Sequence, residues 1–205
     1  MKINTTLIGI LTLSGCSTVY TLKPVTTDVA SNENCTVKAS LLEAGEDDTL
    51  FKVSISNLSS FALDINPTSL SIQSVTGVLD QSPVSGIEPQ PYIKKLAAAA
   101  ELYEARANTT NWLGVDALTA TGEYKNLKSE QKTVEDERKN NLKMAKKVRE
   151  RIAKINGRTL EQTSIEAGKT IEGIAIFPTH IKNDGLMSFD SQNPLCPVSL
   201  SFEAD

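Results

Sequence analysis

From Cys35 onward, apolar and polar residues alternate with a period of two. Cys35, Val37, Ala39 and Leu41 interleave with Thr36, Lys38 and Ser40. After the acidic turn Glu46-Asp47-Asp48, Phe51, Val53 and Ile55 interleave with Lys52, Ser54 and Ser56. Phe61, Leu63 and Ile65, then Leu70 and Ile72, repeat the pattern on either side of Asn66-Pro67. Successive side chains of a strand face opposite sides, so this alternation predicts half-buried strands. Residues 171–177 are apolar on both faces after Gly173; a short strand is expected at 186–189, and Val198, Leu200 and Phe202 alternate in a final one.

Between these two β stretches the period changes. Residues 94–107 are almost all strong helix formers, with Ile93, Leu96, Ala100, Tyr103 and Ala107 on one face. A long helix is predicted over 123–155, its apolar stripe being Leu127, Val134, Leu142, Ala145, Val148, Ile152 and Ile155, with Asn156-Gly157 as the stop. Two helices so placed are expected to fold back on each other as an antiparallel hairpin. The segment joining them carries Trp112 and Leu113.

The N-terminus follows a different logic. Lys2 precedes a short apolar run containing Leu7, Ile8, Ile10, Leu11 and Leu13, too short to span a bilayer. It ends in Leu13-Ser14-Gly15-Cys16, which resembles the lipobox of bacterial lipoproteins. The resemblance implies a signal peptide over 1–15, cleavage after Gly15 and lipidation of Cys16. Ser17 is not the aspartate that retains such proteins in the inner membrane, so the outer membrane is favoured, on either of its faces. Residues 16–34, rich in Thr, Ser and Asn, are then expected to be a tether, with an edge strand possible near Leu22. Of three cysteines, lipid takes Cys16. Cys35 and Cys196 remain as an even pair in an oxidising compartment and read as a disulfide, buried free thiols being the alternative. Each opens a strand, so a bond requires both strand starts at one end of the fold.

The two β stretches carry a second resemblance. A strand, the turn Asn57-Leu58-Ser59-Ser60 and a second strand are followed much later by 166–178, E-A-G-K-T-I-E-G-I-A-I-F-P, and a terminal strand. This order resembles the small immunoglobulin-like modules of secreted bacterial antigens and lipoproteins. The fold expected is therefore mainly β, an immunoglobulin-like β-sandwich formed by 35–91 and 157–205, with an α-helical hairpin inserted at 92–156. No functional residues transfer with this resemblance.

Chemistry is sparse. One histidine, His180, follows a strand, and no nucleophile-and-base pattern, zinc spacing or phosphate loop accompanies it. Both acidic runs, 46–48 and 135–137, read as solvated surface. No catalytic, cofactor or metal site is expected, and a net charge of −4 gives no reason to invoke nucleic acid. One charge feature stands out: 123–155 hold eleven basic against six acidic side chains in an otherwise acidic chain. Lys143, Lys146, Lys147 and Arg149, with Trp112 and Leu113, are the candidate contact residues. The function expected is a non-enzymatic envelope lipoprotein, held to the membrane by its lipid, that binds a protein partner as an accessory subunit. The alternative is a binding or inhibitory module for a small molecule or glycan.

Overall fold

A computed structural model describes residues 22–25, 27–45, 47–79, 83–109 and 124–204. Eleven strands lie among them: β1 (Leu22–Pro24), β2 (Val29–Ser31), β3 (Cys35–Ala44), β4 (Thr49–Asn57), β5 (Leu63–Ile65), β6 (Leu70–Ser74), β7 (Val84–Ser85), β8 (Thr163–Ile165), β9 (Thr170–Phe177), β10 (Gly185–Ser191) and β11 (Val198–Ala204). Two helices, α1 (Pro89–Thr109) and α2 (Tyr124–Ile155), stand between β7 and β8. The fold is mainly β, and every paired strand is antiparallel to its neighbours.

One sheet has the order β1-β11-β10-β6-β7 and the other β2-β3-β4-β9, with β5 and β8 forming a third, small ladder. The alternation read from the sequence places one set of side chains from each large sheet in a common core. Val37, Ala39, Phe51, Val53, Ile55, Ala175 and Phe177 meet Ile72, Met187, Phe189, Leu200 and Phe202 there. Four rings tie the sheets together: Phe51 lies 5.8 Å from Phe177, 5.4 Å from Phe189 and 5.6 Å from Phe202, in tilted or edge-on geometries. Cys35 and Cys196, both fully buried, form a disulfide with their Cα atoms 5.6 Å apart. It joins the start of β3 to the residues leading into β11, so both strand starts lie at one end of the molecule.

The other end is marked by the β3–β4 turn. Thr49 at the start of β4 bonds Thr179 beyond β9, while Val78 and Lys182 link the segment after β6 to the segment before β10. Gly185 opens β10 opposite Ala204, and Ala204 in turn faces Leu22. The first described residues therefore emerge at the end opposite the disulfide.

Several expectations need correction. Within the stretch taken as a tether, 16–34, the edge strand allowed for near Leu22 is β1, paired with β11, but Val29–Ser31 is sheet as well, pairing with β3. Phe61, expected inside a strand, is 46% exposed. The buried Asn57 amide donates to the carbonyls of Phe61 and Ile165 and its Oδ1 accepts from Ser59, which holds 58–62 as a loop and delays β5 to Leu63. Leu142, placed in the apolar stripe of the second helix, is 40% exposed. The alanines Ala100, Ala107 and Ala145 form a narrow seam between the helices, and Leu142 falls on its flank.

Candidate interaction surface

The two-sided apolar run of β9 explains how the helices are held. Its Ala175 and Phe177 enter the core between the sheets, whereas Ile174 and Ile176 face outward. There they join Leu50 of β4, Tyr92 of α1 and the fully buried Ile155 of α2 in a second, smaller core, flanked by Ile87, Ile93 and Leu96. Backbone bonds fix the same foot to the free edge of β9. The Ile87 N–H donates to Ile176 at 3.0 Å, the Leu160 N–H to Ile174 at 2.9 Å, and the Ile174 N–H to Arg158 at 2.8 Å. Gly173 allows this approach: a Cβ there would sit 2.7 Å from the Leu160 backbone.

A charged clamp closes over the foot at the β3–β4 turn. The buried Asp48 carboxylate accepts from the Tyr92 hydroxyl of α1 and from the Arg151 guanidinium of α2. Glu43 accepts from Arg151 at 2.6 Å and from Lys154 at 2.5 Å. Burial raises the Asp48 carboxyl above its ordinary value, and Arg151 opposes that rise. Asp48 was expected in a solvated turn. Nothing in the period-two pattern marks it, because the partners that bury it arrive from more than forty and a hundred residues away.

The direction of the pair follows from these contacts. Tyr92 meets Ile155 at the foot, and farther out Glu104 accepts two bonds from Arg149, at 2.7 and 2.8 Å. Ascending α1 is thus descending α2, and the helices are antiparallel. From Arg151 beside the β3–β4 turn, α2 runs forward to Ile155, and the chain continues to Arg158 beside Ile174, heading toward the disulfide end. Followed backward, it leads out past the opposite end, where Leu22 emerges. The side chains holding α2 to the sheets come from its last turns, and Lys147 and Val148 edge a cleft beside Glu43. Residues 124–146 continue beyond that, about 35 Å at 1.5 Å per residue.

The chain matches no known protein family, no curated protein and no solved structure.

The candidate residues separate accordingly. Cys16, Trp112 and Leu113 lie outside the described residues. Arg149 is bound to Glu104, and Lys146 lies 3.7 Å from Glu150. Lys143 and Lys147 are exposed and have no ion-pair partner among the described residues. His180 is half-buried in the loop after β9, and among the described residues no cluster of three or more His, Cys, Asp or Glu is arranged to hold a metal. Where α2 ends, a cleft of about 440 Å³ is lined by Leu42, Lys52, Lys154, Arg158, Glu172 and Ile174. No helix among the described residues is long and apolar enough to cross a membrane.

Removing one partner of the clamp has a predictable cost. The Arg151→Met substitution strands Asp48, 5% exposed, with Tyr92 as its remaining partner. A loss of about 3 kcal/mol at neutral pH is expected for a buried charge left unpaired. The pH dependence has a definite sign. A carboxyl whose folded pKa is raised above its unfolded value, near 3.8, contributes stability fully present below that value and lost as pH rises through the folded pKa. Without Arg151 the folded pKa rises further, so the deficit of the variant shrinks on going from pH 7 to pH 4. Urea unfolding at the two pH values measures it; a deficit that is constant or larger in acid contradicts this account of Asp48.

Proposed function

We propose that the chain is a lipid-anchored, non-enzymatic envelope protein, its β body an immunoglobulin-like sandwich that carries the helical pair as contact element for a protein partner. The observation that carries this reading is the way the pair is held. Its foot is fixed by a private core, backbone bonds and the Asp48 clamp, while α2 continues for more than twenty residues beyond the last side chains that hold it among the described residues. A firm root with a long free portion suits a projecting contact element better than a packing element. Leu102, Leu142 and Met144, each 40% exposed or more, give that portion apolar contact area. Two facing antiparallel sheets joined by Cys35–Cys196 support the immunoglobulin-like reading, and the Leu13-Ser14-Gly15-Cys16 sequence supports the anchor. The cleft of mixed charge beside Arg158 is where a small anionic ligand or glycan would be sought under the second reading.

Two experiments test the proposal. Metabolic labelling with a palmitate analogue is expected to mark the wild-type chain and not Cys16→Ser, which leaves the membrane fraction; a Cys16→Ser chain that still labels and stays there sinks the anchor. Cross-linking in intact envelopes is expected to give a discrete protein adduct with the full chain. That adduct should be lost when residues 105–148 are replaced by a short Gly/Ser link. An adduct that survives the shortening places the contact on the β body instead.

A further inference from the structure

The face of α2 that turns away from α1 is a stripe of lysines. At about 100° per residue, Lys132, Lys139, Lys143, Lys147 and Lys154 all fall within about 60° of the direction opposite the buried Ala145, which marks the seam. Asp136 and Glu150 are the acidic side chains on that arc, Lys139 also lies 3.6 Å from Glu135 on its flank and Lys154 is held by Glu43, and all five lysines are exposed. The stripe points toward the side of the molecule from which the chain emerges. Lys154 reaches Glu43 on β3, so the face opposite α1 looks across β3 toward the β2 edge, and β1 lies at the corresponding edge of the other sheet.

Chain length restricts how such a molecule sits on a bilayer. Resting on the lipid-anchor reading above, six Cα steps separate Cys16 from Leu22, at most about 22 Å when fully extended. Leu22 lies at the end past which α2 leads, and the free part of α2 is about 35 Å long. Standing upright on that end would drive the helices through the headgroups. Inverting the body would lift Leu22 by the length of the ten-residue β3, about 33 Å, beyond the reach of the tether. What remains is an arrangement in which the helical pair runs along the membrane surface.

We propose that the lysine face of α2 lies against the anionic phospholipid headgroups of the bilayer that holds the Cys16 lipid, orienting the body and leaving the remaining surface of the pair for its protein partner. Basic side chains near an anionic bilayer surface are attracted to it, and the attraction fades with salt.

The test uses the full chain, purified from membranes and reconstituted in vesicles of phosphatidylcholine alone or with about three parts in ten of phosphatidylglycerol. Amine-reactive labelling followed by mass spectrometry gives the reaction rate of each lysine. Lys139, Lys143 and Lys147 are expected to react about threefold or more slowly in the anionic vesicles, and to recover in about 0.5 M salt. Lys52 and Lys169, also exposed but on β4 and at the disulfide end, are expected to react alike in both. Equal rates for the α2 lysines in the two vesicles, or protection of the sheet lysines instead, overturn the proposal. The intact mass of the same sample reports the acyl group separately. A chain without it overturns the anchor and with it this orientation; an acylated chain with unprotected α2 lysines overturns the orientation alone.

Discussion

A chain with serine at both Cys35 and Cys196 is expected to lose about 4–5 kcal/mol of stability, close to the upper end of what a single cross-link supplies. The bond spans 161 residues, so its absence releases nearly the whole described fold to the unfolded ensemble. It also ties β3 of one sheet to the turn leading into β11 of the other, where no ladder hydrogen bond can substitute. Both sulfurs are fully buried, and two hydroxyls left there without partners add their own desolvation cost. Urea unfolding of the double variant beside the oxidised wild type measures the loss. A difference below about 1 kcal/mol would show that the aromatic cluster around Phe51 sets the sheet-to-sheet stability by itself.

That bond was legible on the expectation, carried by Leu13-Ser14-Gly15-Cys16, that lipid takes Cys16, because the two cysteines left over then form an even pair. The strands were legible for an equally local reason. In β3, β4 and β11 every second residue enters the core, and period-two alternation is the direct trace of that burial. Residues 171–177 looked unusual in being apolar on both sides, and the structure explains why: β9 serves the main core with one face and the helical foot with the other. What the sequence hid is what depends on distant partners. Val29–Ser31 has too few residues for periodicity to register, and it becomes a strand by pairing with Thr36, Val37 and Lys38. Asp48 sits in an acidic run that resembles any solvated turn, and it is buried because Tyr92 and Arg151 close over it. Arg149 looked like free surface charge, although Glu104 on the other helix accepts from its Nε and from one of its terminal nitrogens. The lysine face of α2 was half visible. The excess of lysine was plain, but its restriction to one side of α2 and its relation to Leu22 needed the topology.

Two deletions of the helical pair are expected to behave very differently. Removing residues 92–155 entirely takes away Tyr92 and Ile155 and exposes Leu50, Ile174 and Ile176 on the outer face of β4 and β9. At about 1.5–3 kcal/mol for each buried aliphatic side chain returned to water, the loss is about 5 kcal/mol or more, comparable to the whole stability of many domains. It also strips Asp48 of both its partners in the clamp and Glu43 of Arg151 and Lys154. The shorter deletion of 105–148 joins Glu104 to Arg149, which already touch, and leaves the foot, the clamp and the bonds to the β9 edge in place. It is expected to give a folded, disulfide-bonded protein with a urea midpoint near that of the wild type, while the longer deletion gives an aggregating or unfolded one. Circular dichroism and urea titration of the two chains decide it. If both fold equally well, the second core contributes nothing and the helices are a true appendage; if neither folds, the free part of the pair is structural and its role as the contact element loses its basis.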